Sequence, residues 1–573
     1  MSKERNLALF LLMILTLLSL TLLYRPVAAS WLENNTGETE LYQQLQGLFL
    51  LFPKRYIDTD DLAVISHADV SPYGANTFFD QEVEEWKVRR SMEMLRDAGV
   101  GWMRQQVPWV HIEREGKGKF GEPPGRSWEH YDRLVSLANE YELRIVARLD
   151  LPPPWARTDS NTSNSRPRNI EDYGDFVYEF AKRYRGKVDH IQIWNEPNLY
   201  DEWGDIPNAQ AYVELLAEGH RRAKEANPDV VVLSAALAPT LGTPDGKNES
   251  DLTYLQKMYT AGAAAHFDIL SAQAYGLWTG PGNHRASPDQ INFSRVQLIR
   301  EIMVKNGDSH KAIWVSELGW SALPRDFPGL AAHGRVDEER QAQYAVAAYQ
   351  RIQEEWPWVG VAFYWHFRRV SDESRNDLNF YFRMVDPDFT PRPVYYAYKD
   401  MASSPPVLDY GVHQEDNFAL DYKGLWQLRM DSAAQMGRKM VSDSPGDSIS
   451  FKFRGASLSV LTEQGPKSGS FCVEINDARS IPRCINLRSD SQQSVEVALA
   501  SGMKSGEHTV KLYSQRDGEL SIDAFVVGNR KSALGQRPLG LLLLTAVVGI
   551  GLLTFIHKRS WQRIGYAITS TTN

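Results

Sequence analysis

Two glutamates in matched settings are the parts of this chain that could do chemistry. Glu196 lies in the tetrad Trp194-Asn195-Glu196-Pro197, which closes the apolar run His190-Ile191-Gln192-Ile193. Glu317 follows a second run, Ala312-Ile313-Trp314-Val315-Ser316, and opens Glu317-Leu318-Gly319-Trp320. Each context puts a carboxyl group just past a short β-strand, the first with a carboxamide beside it. Such a pair can break a glycosidic bond, one group giving a proton and the other attacking as a nucleophile. One strand-end glutamate is ordinarily a solvated charge. Two of them inside one repeating pattern point to a shared site.

That pattern is an alternation of apolar runs and amphipathic segments from Leu62 to about Asp400. The runs are Leu62 to Val70, Trp102 to Val107, Arg144 to Leu149, His190 to Trp194, Val230 to Leu237, Phe267 to Ala272, Ala312 to Ser316 and Trp358 to Trp365. Between them, Trp128, Tyr131, Leu134, Val135 and Ala138 share one helical face after Ser127, an expected N-cap. Tyr173, Phe176, Val177, Phe180 and Tyr184 do the same before Gly186, and a run after Asn208 stops at Pro228. Near-continuous apolar strands alternating with helices imply a parallel sheet covered by helices. Eight such units, with no Gly-rich phosphate turn, predict an α/β fold of the (β/α)8 barrel type over residues 61–402.

In such a barrel the C-terminal strand ends line one pocket. Glu196 then closes strand 4 and Glu317 strand 7. Arg104 in strand 2, Asp150 and Trp155 after strand 3, Gln273 and Tyr275 after strand 6, and Trp365 with His366 after strand 8 should join them. Ionised Glu317 would need a cation and hydrogen-bond donors, for which Arg104 and the Tyr275 hydroxyl are the candidates. Glu196 would need a less charged setting to keep its proton. Trp155, Trp278, Trp320 and Trp365 fall near strand ends, where indole packs on the C–H face of a sugar. Trp155 and Trp278 read equally well as core, and Trp86 and Trp128 read as core. Proton transfer and nucleophilic attack are within reach of carboxyl side chains, so the reading calls for no cofactor.

After Ser403-Ser404-Pro405-Pro406 the chain turns to short β-prone runs with turn residues, expected as an antiparallel β-sandwich over 412–530 behind a linker at 403–411. Cys472 and Cys484 both lie in it, either bridging neighbouring strands or left as two thiols. Two cysteines without a nearby histidine pair do not make a metal site.

The ends are apolar. Asn6 to Tyr24 is uncharged behind Lys3 and Arg5, and Pro538 to Ile556 is uncharged ahead of Lys558, Arg559 and Arg563. Each is about long enough to span a bilayer as a helix, which takes roughly 20 residues. The flanking cations put both termini in the cytoplasm and the body outside it. Val27-Ala28-Ala29 has the small-residue pattern of a signal-peptidase site, so residues 1–30 are a cleaved signal or an N-terminal anchor. Residues 31–60 then form a tether, 531–537 a stalk, 538–557 a transmembrane helix and 558–573 a cytoplasmic tail. Over the full 573 residues the net charge of −9, with no concentrated basic patch, argues against a nucleic-acid partner.

The motif Asn195-Glu196-Pro197 after strand 4 and Ser316-Glu317-Leu318-Gly319-Trp320 after strand 7 resemble the signature of clan A retaining glycoside hydrolases. Within the clan they look most like the β-xylosidase and iduronidase family 39, with the cellulase-like family 5 next. The resemblance spans the barrel and implies that Glu196 is the acid/base and Glu317 the nucleophile. It also implies that Arg104 and Tyr275 serve the nucleophile, that Asn195 meets the sugar 2-hydroxyl, and that Trp365 is a stacking platform. Many relatives carry His where this chain has Gln273, so altered hydroxyl contacts are expected there. A retaining reaction sets the two carboxyl groups about 5 to 5.5 Å apart. Trp426, Gly446 to Phe453, Ser505 to Val510 and Ile522 to Phe525 resemble galactose-binding-like jelly rolls, which are carbohydrate-binding modules or spacers. The implied activity is hydrolysis of an oligo- or polysaccharide by a membrane-anchored enzyme. A transglycosylase on the same site, or a non-catalytic carbohydrate-binding protein, remains the alternative, and the sugar and oligomeric state stay open.

Overall fold

The computed structural model describes residues 57–120, 127–476, 483–504, 506–515 and 518–528, with the isolated positions 32, 36 and 44. The two apolar end segments, and with them the signal, anchor and span expectations, lie outside these residues. Among the described residues no helix is long and apolar enough to cross a membrane. The chain forms two compact units. One holds the residues up to Pro406 with Gly411–Asp421 and Gln427–Met440, and the other holds Val407–Tyr410, Tyr422–Trp426 and the residues from Val441 on.

The first unit is built of strand and helix in strict alternation: β1 (Tyr73–Thr77), α1 (Glu85–Asp97), β2 (Trp102–Pro108), α2 (Trp128–Glu140), β3 (Arg144–Asp150), α3 (Ile170–Arg183), β4 (His190–Ile193) and α4 (Ala209–Ala226). It continues through β5 (Val231–Leu233), α5 (Asp251–Thr260), β6 (Leu270–Gln273), α6 (Val296–Lys305), β7 (Ile313–Leu318), α7 (Glu338–Glu355), β8 (Val359–Tyr364) and α8 (Pro393–Ala402). The strands pair in the order β5-β4-β3-β2-β1-β8-β7-β6. Parallel bridges Leu233↔Ile269 and Leu237↔Ala272 close the ring between β5 and β6. The expected (β/α)8 barrel is present.

The local chemistry explains the helices. Asn169 Oδ1 accepts from Glu171 N at 3.1 Å, Asn208 Oδ1 from Ala211 N at 3.0 Å and Asp337 Oδ1 from Arg340 N at 2.7 Å, each capping orphan amides of a first turn. Ser127 holds the N-cap position of α2, but its side chain makes no capping bond. One face of each helix is buried, as in α3, where Tyr173, Phe176, Val177 and Phe180 turn inward.

The first strand is not where the apolar run put it. Leu62 to Val70 forms turns and a single bridge, Ser66↔Lys311, and β1 begins instead at Tyr73. Its sequence, Tyr-Gly-Ala-Asn-Thr, has weak strand propensity. The barrel needs the glycine there: a Cβ on Gly74 would lie 2.6 Å from Phe363 and 2.9 Å from Val361 of β8. Trp86 also departs from expectation, for it is 58% exposed on the outer face of α1, with its ring tilted against Phe389.

After four short strands, β9 (Gly411–Gln414), β10 (Asp421–Lys423), β11 (Gln427–Met430) and β12 (Arg438–Ser442), the second unit contains β13 (Ser448–Gly455), β14 (Ser457–Gln464), β15 (Ser470–Ile475), β16 (Arg483–Asn486), β17 (Gln493–Ala500), β18 (Gly506–Ser514), β19 (Leu520–Ile522) and β20 (Ala524–Gly528). β13, β18, β15 and β16 pair antiparallel in that order, as do β17, β14 and β20. Ile449, Phe451 and Phe453 alternate inward on β13, and Leu458 and Val460 on β14, the period of a half-buried sheet. Cys472 and Cys484 stand opposite each other on β15 and β16 and are joined by a disulfide. Tyr422 and Trp426 are half-buried and meet edge-to-face at 5.2 Å.

Gly74→Ala should lower stability by about 1–3 kcal/mol, the cost of overpacking a filled core. Denaturant unfolding of the purified protein measures it, and a change within error would mean that β1 and β8 have room to part.

Candidate active site

Side chains two apart on a strand share a face, so the barrel interior is layered. At the N-terminal end, Trp102 of β2, His190 of β4 and Trp314 of β7 meet as a plug of rings. The His190 and Trp314 centroids are 5.1 Å apart, and Trp102 lies 4.8 Å from Trp314. One layer up come Arg104, Gln192 and Ser316. By strict alternation Glu317 would then point outward. It does not, because the β6–β7 register slips between Ala272/Val315 and Gln273/Glu317. Ser316 is the extra residue, and this bulge turns Glu317 into the mouth.

Arg104 is the hub of that mouth. It is only 3% exposed, and its guanidinium donates to four side chains. Nε reaches Gln192 Oε1 at 2.8 Å, and Nη1 reaches Asn76 Oδ1 at 2.8 Å and Glu317 Oε1 at 2.9 Å. Nη2 reaches Asn195 Oδ1 at 2.7 Å. The Tyr275 hydroxyl donates to the other Glu317 oxygen at 2.7 Å. Burial and the adjacent Glu317 hold the Tyr275 phenol well above its ordinary range, so it stays a donor. Glu317 is therefore a buried carboxylate with a cation on one oxygen and a hydroxyl on the other.

Glu196 is treated oppositely. Its backbone N–H donates to Ala236 O beyond β5 at 2.8 Å, and Trp194 N–H donates to Leu149 O of β3 at 3.1 Å. Trp194 and Glu196 both take left-handed backbone angles, φ 70° and 45°. For residues with side chains that conformation costs on the order of 1 kcal/mol or more and persists where packing imposes it. The Glu196 carboxyl accepts from Gln273 Nε2 and forms no ion pair among the described residues. Burial first, then the charges of Glu202 and Glu317, push it up to about 8.

The structure brings Glu317, Asn195, Arg104 and Tyr275 into one hydrogen-bonded group and pairs Gln273 with Glu196, the chain neighbour of Asn195. Gln273 lies against Glu196 itself, where hydroxyl contacts had been expected. Trp365 is half-buried with its ring edge-on to Phe78 at 5.6 Å. Trp155 leans on the core, its Nε1 donating to Glu113 O at 2.8 Å and its ring edge-on to Trp109. Trp278 is 64% exposed. Trp320 is fully buried with Nε1 on Thr279 O, so it is core and offers no platform. His366 is likewise fully buried, with Nε2 at 2.9 Å from Asn379 O.

Sequence reasoning missed Asn76, Gln192, Arg148 and Glu202. Asn76 was hidden with the misplaced first strand, whereas Gln192 was legible as the residue two beyond His190. Arg148 and Asp150 form an ion pair at 2.8 Å whose N–H is not aligned on the oxygen, and Gln106 Nε2 donates to the other Asp150 oxygen at 2.8 Å. Asp80, beside Gln105 at 2.9 Å, is raised to about 6 by burial.

No family model matches the chain, and no curated protein does. Among solved structures, it is similar to a family 39 glycoside hydrolase from Bacteroides cellulosilyticus, with 15% identity over 80% of this chain and 82% of that one and a TM-score of 0.44. A family 39 enzyme from Xanthomonas axonopodis gives 14% identity over 80% and 96%, TM-score 0.43. A glucosidase from Croceicoccus marinus gives 13% over 74% and 91%, TM-score 0.41.

Arg104→Ala would leave Glu317 buried without its counter-charge. It should destabilise the fold by about 3–5 kcal/mol, as losing one partner of a buried pair does. Thermal and denaturant unfolding would show this, and a loss below about 1 kcal/mol would mean that water replaces the guanidinium.

Proposed function

We propose that this protein is a glycosidase that hydrolyses O-glycosidic bonds by double displacement, with Glu317 as nucleophile and Glu196 as acid/base. The supporting observation is the opposite treatment of two carboxyl groups in one mouth. Glu317 is bonded through one oxygen to Arg104 at 2.9 Å and through the other to the Tyr275 hydroxyl at 2.7 Å. Glu196, in a half-buried setting among other carboxylates, keeps its proton to about 8. Groups held apart in this way divide the labour of base and acid at one pH.

The steps follow from that division. Glu317 attacks the anomeric carbon while Glu196 protonates the departing oxygen, leaving a glycosyl ester on Glu317 and a carboxylate at Glu196. Esterification removes the charge of Glu317, which is one cause of the raised affinity of Glu196 for its proton. Glu196 is then a free base, takes a proton from water, and the resulting attack on the anomeric carbon releases the sugar and Glu317. Arg104 holds Asn195 by its oxygen, so the amide NH2 is the end left to donate to a sugar hydroxyl. Trp365 supplies an apolar ring beside the pocket. The uncharged end segments support anchoring in a membrane with the barrel outside the cytoplasm, a body of carbohydrate-degrading character held at the cell surface.

Glu317→Gln and Glu196→Gln should each cut turnover of an activated aryl glycoside by about 10³-fold or more with folding intact. Added azide should restore part of the activity of Glu196→Ala, giving a glycosyl azide of retained configuration by NMR. Wild-type turnover in either variant would end the assignment. Alkaline extraction of cell membranes should leave the full chain in the pellet, and its release would remove the anchor.

A further inference from the structure

One buried amide ties four strands of the barrel together, and the proposed reaction gives it no task. Asn76 on β1 is the register partner of Arg104 on β2, so both side chains enter the barrel from the same face. It is 2% exposed. Its Oδ1 accepts from Arg104 Nη1 at 2.8 Å, while Nδ2 donates to Ser316 O of β7 at 2.9 Å and to Tyr364 O of β8 at 3.4 Å. Its backbone oxygen accepts from Phe367 N–H beyond β8 at 3.0 Å. A single orientation of the amide satisfies these partners. Flipped, its NH2 would face a guanidinium and its oxygen two carbonyls.

Both ends of that amide lead to Glu317. Ser316 is the bulged residue that turns Glu317 inward, and it is matched to no residue of β6 or of β8. A bulge takes its extra residue out of the ladder, and backbone groups in a dry place need a partner elsewhere. Asn76 Nδ2 gives the Ser316 carbonyl that partner, one residue before the nucleophile. At the other end, Nη1 of Arg104 carries two hydrogens, one directed to Asn76 Oδ1 and one to Glu317 Oε1. The guanidinium is planar, so fixing it along the first bond also directs the second. The amide thus holds the backbone from which Glu317 departs and the cation on which its oxygen rests.

We infer that Asn76 is a positioning residue for Glu317, which it aims at the anomeric carbon through the Ser316 carbonyl and the Arg104 guanidinium. This rests on the assignment of Glu317 as nucleophile. The two amide hydrogens of Asn76 are taken by Ser316 O and Tyr364 O, so it acts through Glu317 and not by donating to a sugar. Attack depends steeply on the placement of the reacting atoms, whereas binding does not. Loss of Asn76 therefore slows formation of the glycosyl ester and leaves substrate affinity nearly as it was.

The test is kcat/KM on a dinitrophenyl glycoside, whose leaving group departs without a proton, beside the Ki of the matching aryl thioglycoside, which binds without turnover. Asn76→Ala should lower kcat/KM by about 10- to 100-fold, the scale on which misplacing a reacting group acts, with Ki within about threefold. In Glu317→Ala, azide serves as the attacking group. It forms a C–N bond as the C–O bond to the phenol breaks, giving a glycosyl azide of inverted configuration. Adding Asn76→Ala there should cost less than about threefold, because the group it aims is gone. An equal loss with azide, a rise in Ki that accounts for the loss, or wild-type kcat/KM in folded Asn76→Ala overturns the inference. Should Asn76→Ala fail to fold, Asn76→Ser carries the same measurements, its hydroxyl serving one side of the amide's pair but not both. Failure of the nucleophile assignment would show separately, as activity surviving in Glu317→Gln.

Discussion

A guanidinium removed from water must find an acceptor along each direction in which it donates, and the mouth of this barrel is organised around that demand. Arg104 meets it for four of its five N–H groups, with Asn76 of β1, Gln192 of β4, Asn195 after β4 and Glu317 of β7. No one of these contacts can be lost without leaving a charge or an amide unpaired in a dry place, which costs more than the contact is worth when made. The network ties strands on opposite sides of the ring to one another. It also selects the free ends: the NH2 of Asn195 and the Tyr275-facing oxygen of Glu317 are what remains once Arg104 has been served. The ordering of the barrel top and the ordering of the site are thus one event.

The same residue makes the two glutamates unlike. Both are carboxyl groups at strand ends in a low-dielectric pocket, where burial alone would raise both. Arg104 and Tyr275 go to Glu317, and Glu196 is left with the amide of Gln273 and the repulsion of its neighbours. Glu202, Asp150 and Asp80 add further acids, and Arg148 and Arg369 further cations, to the charges around this mouth. Burial is the largest cause that raises Glu202, Asp80 and Asp150, the last of them although Arg148 lies 2.8 Å away.

The repeating run-and-helix pattern made the barrel readable, and with it the strand ends where function collects. Seven of the eight runs lie on barrel strands, because a strand covered by helices on one side and core on the other must be apolar nearly throughout. β1 escaped because packing against β8 demanded Gly74, and a glycine beside Asn76 in Tyr73–Thr77 reads as a turn. Which way Trp320 and His366 face could not be read from the sequence, for a related reason. They lie within a residue or two of strand ends, but which side of the wall a ring occupies depends on what fills the space behind it. For Trp320 that is Phe293 and Tyr344, and for His366 it is Phe78.

The amino-acid sequence by itself determined the alternation of elements, the two glutamates as a pair, and the candidates Arg104, Tyr275 and Asn195 around them. These follow from hydrophobic period and from residue types at strand ends, both local properties. Only the tertiary structure decided that Ser316 is a bulge and that Glu317 therefore faces inward. It also decided that Arg104 serves four partners and that Gln273 lies on Glu196. Those facts depend on register between strands far apart in the chain and on which group gains a scarce cation. Neither quantity exists until the ring has closed.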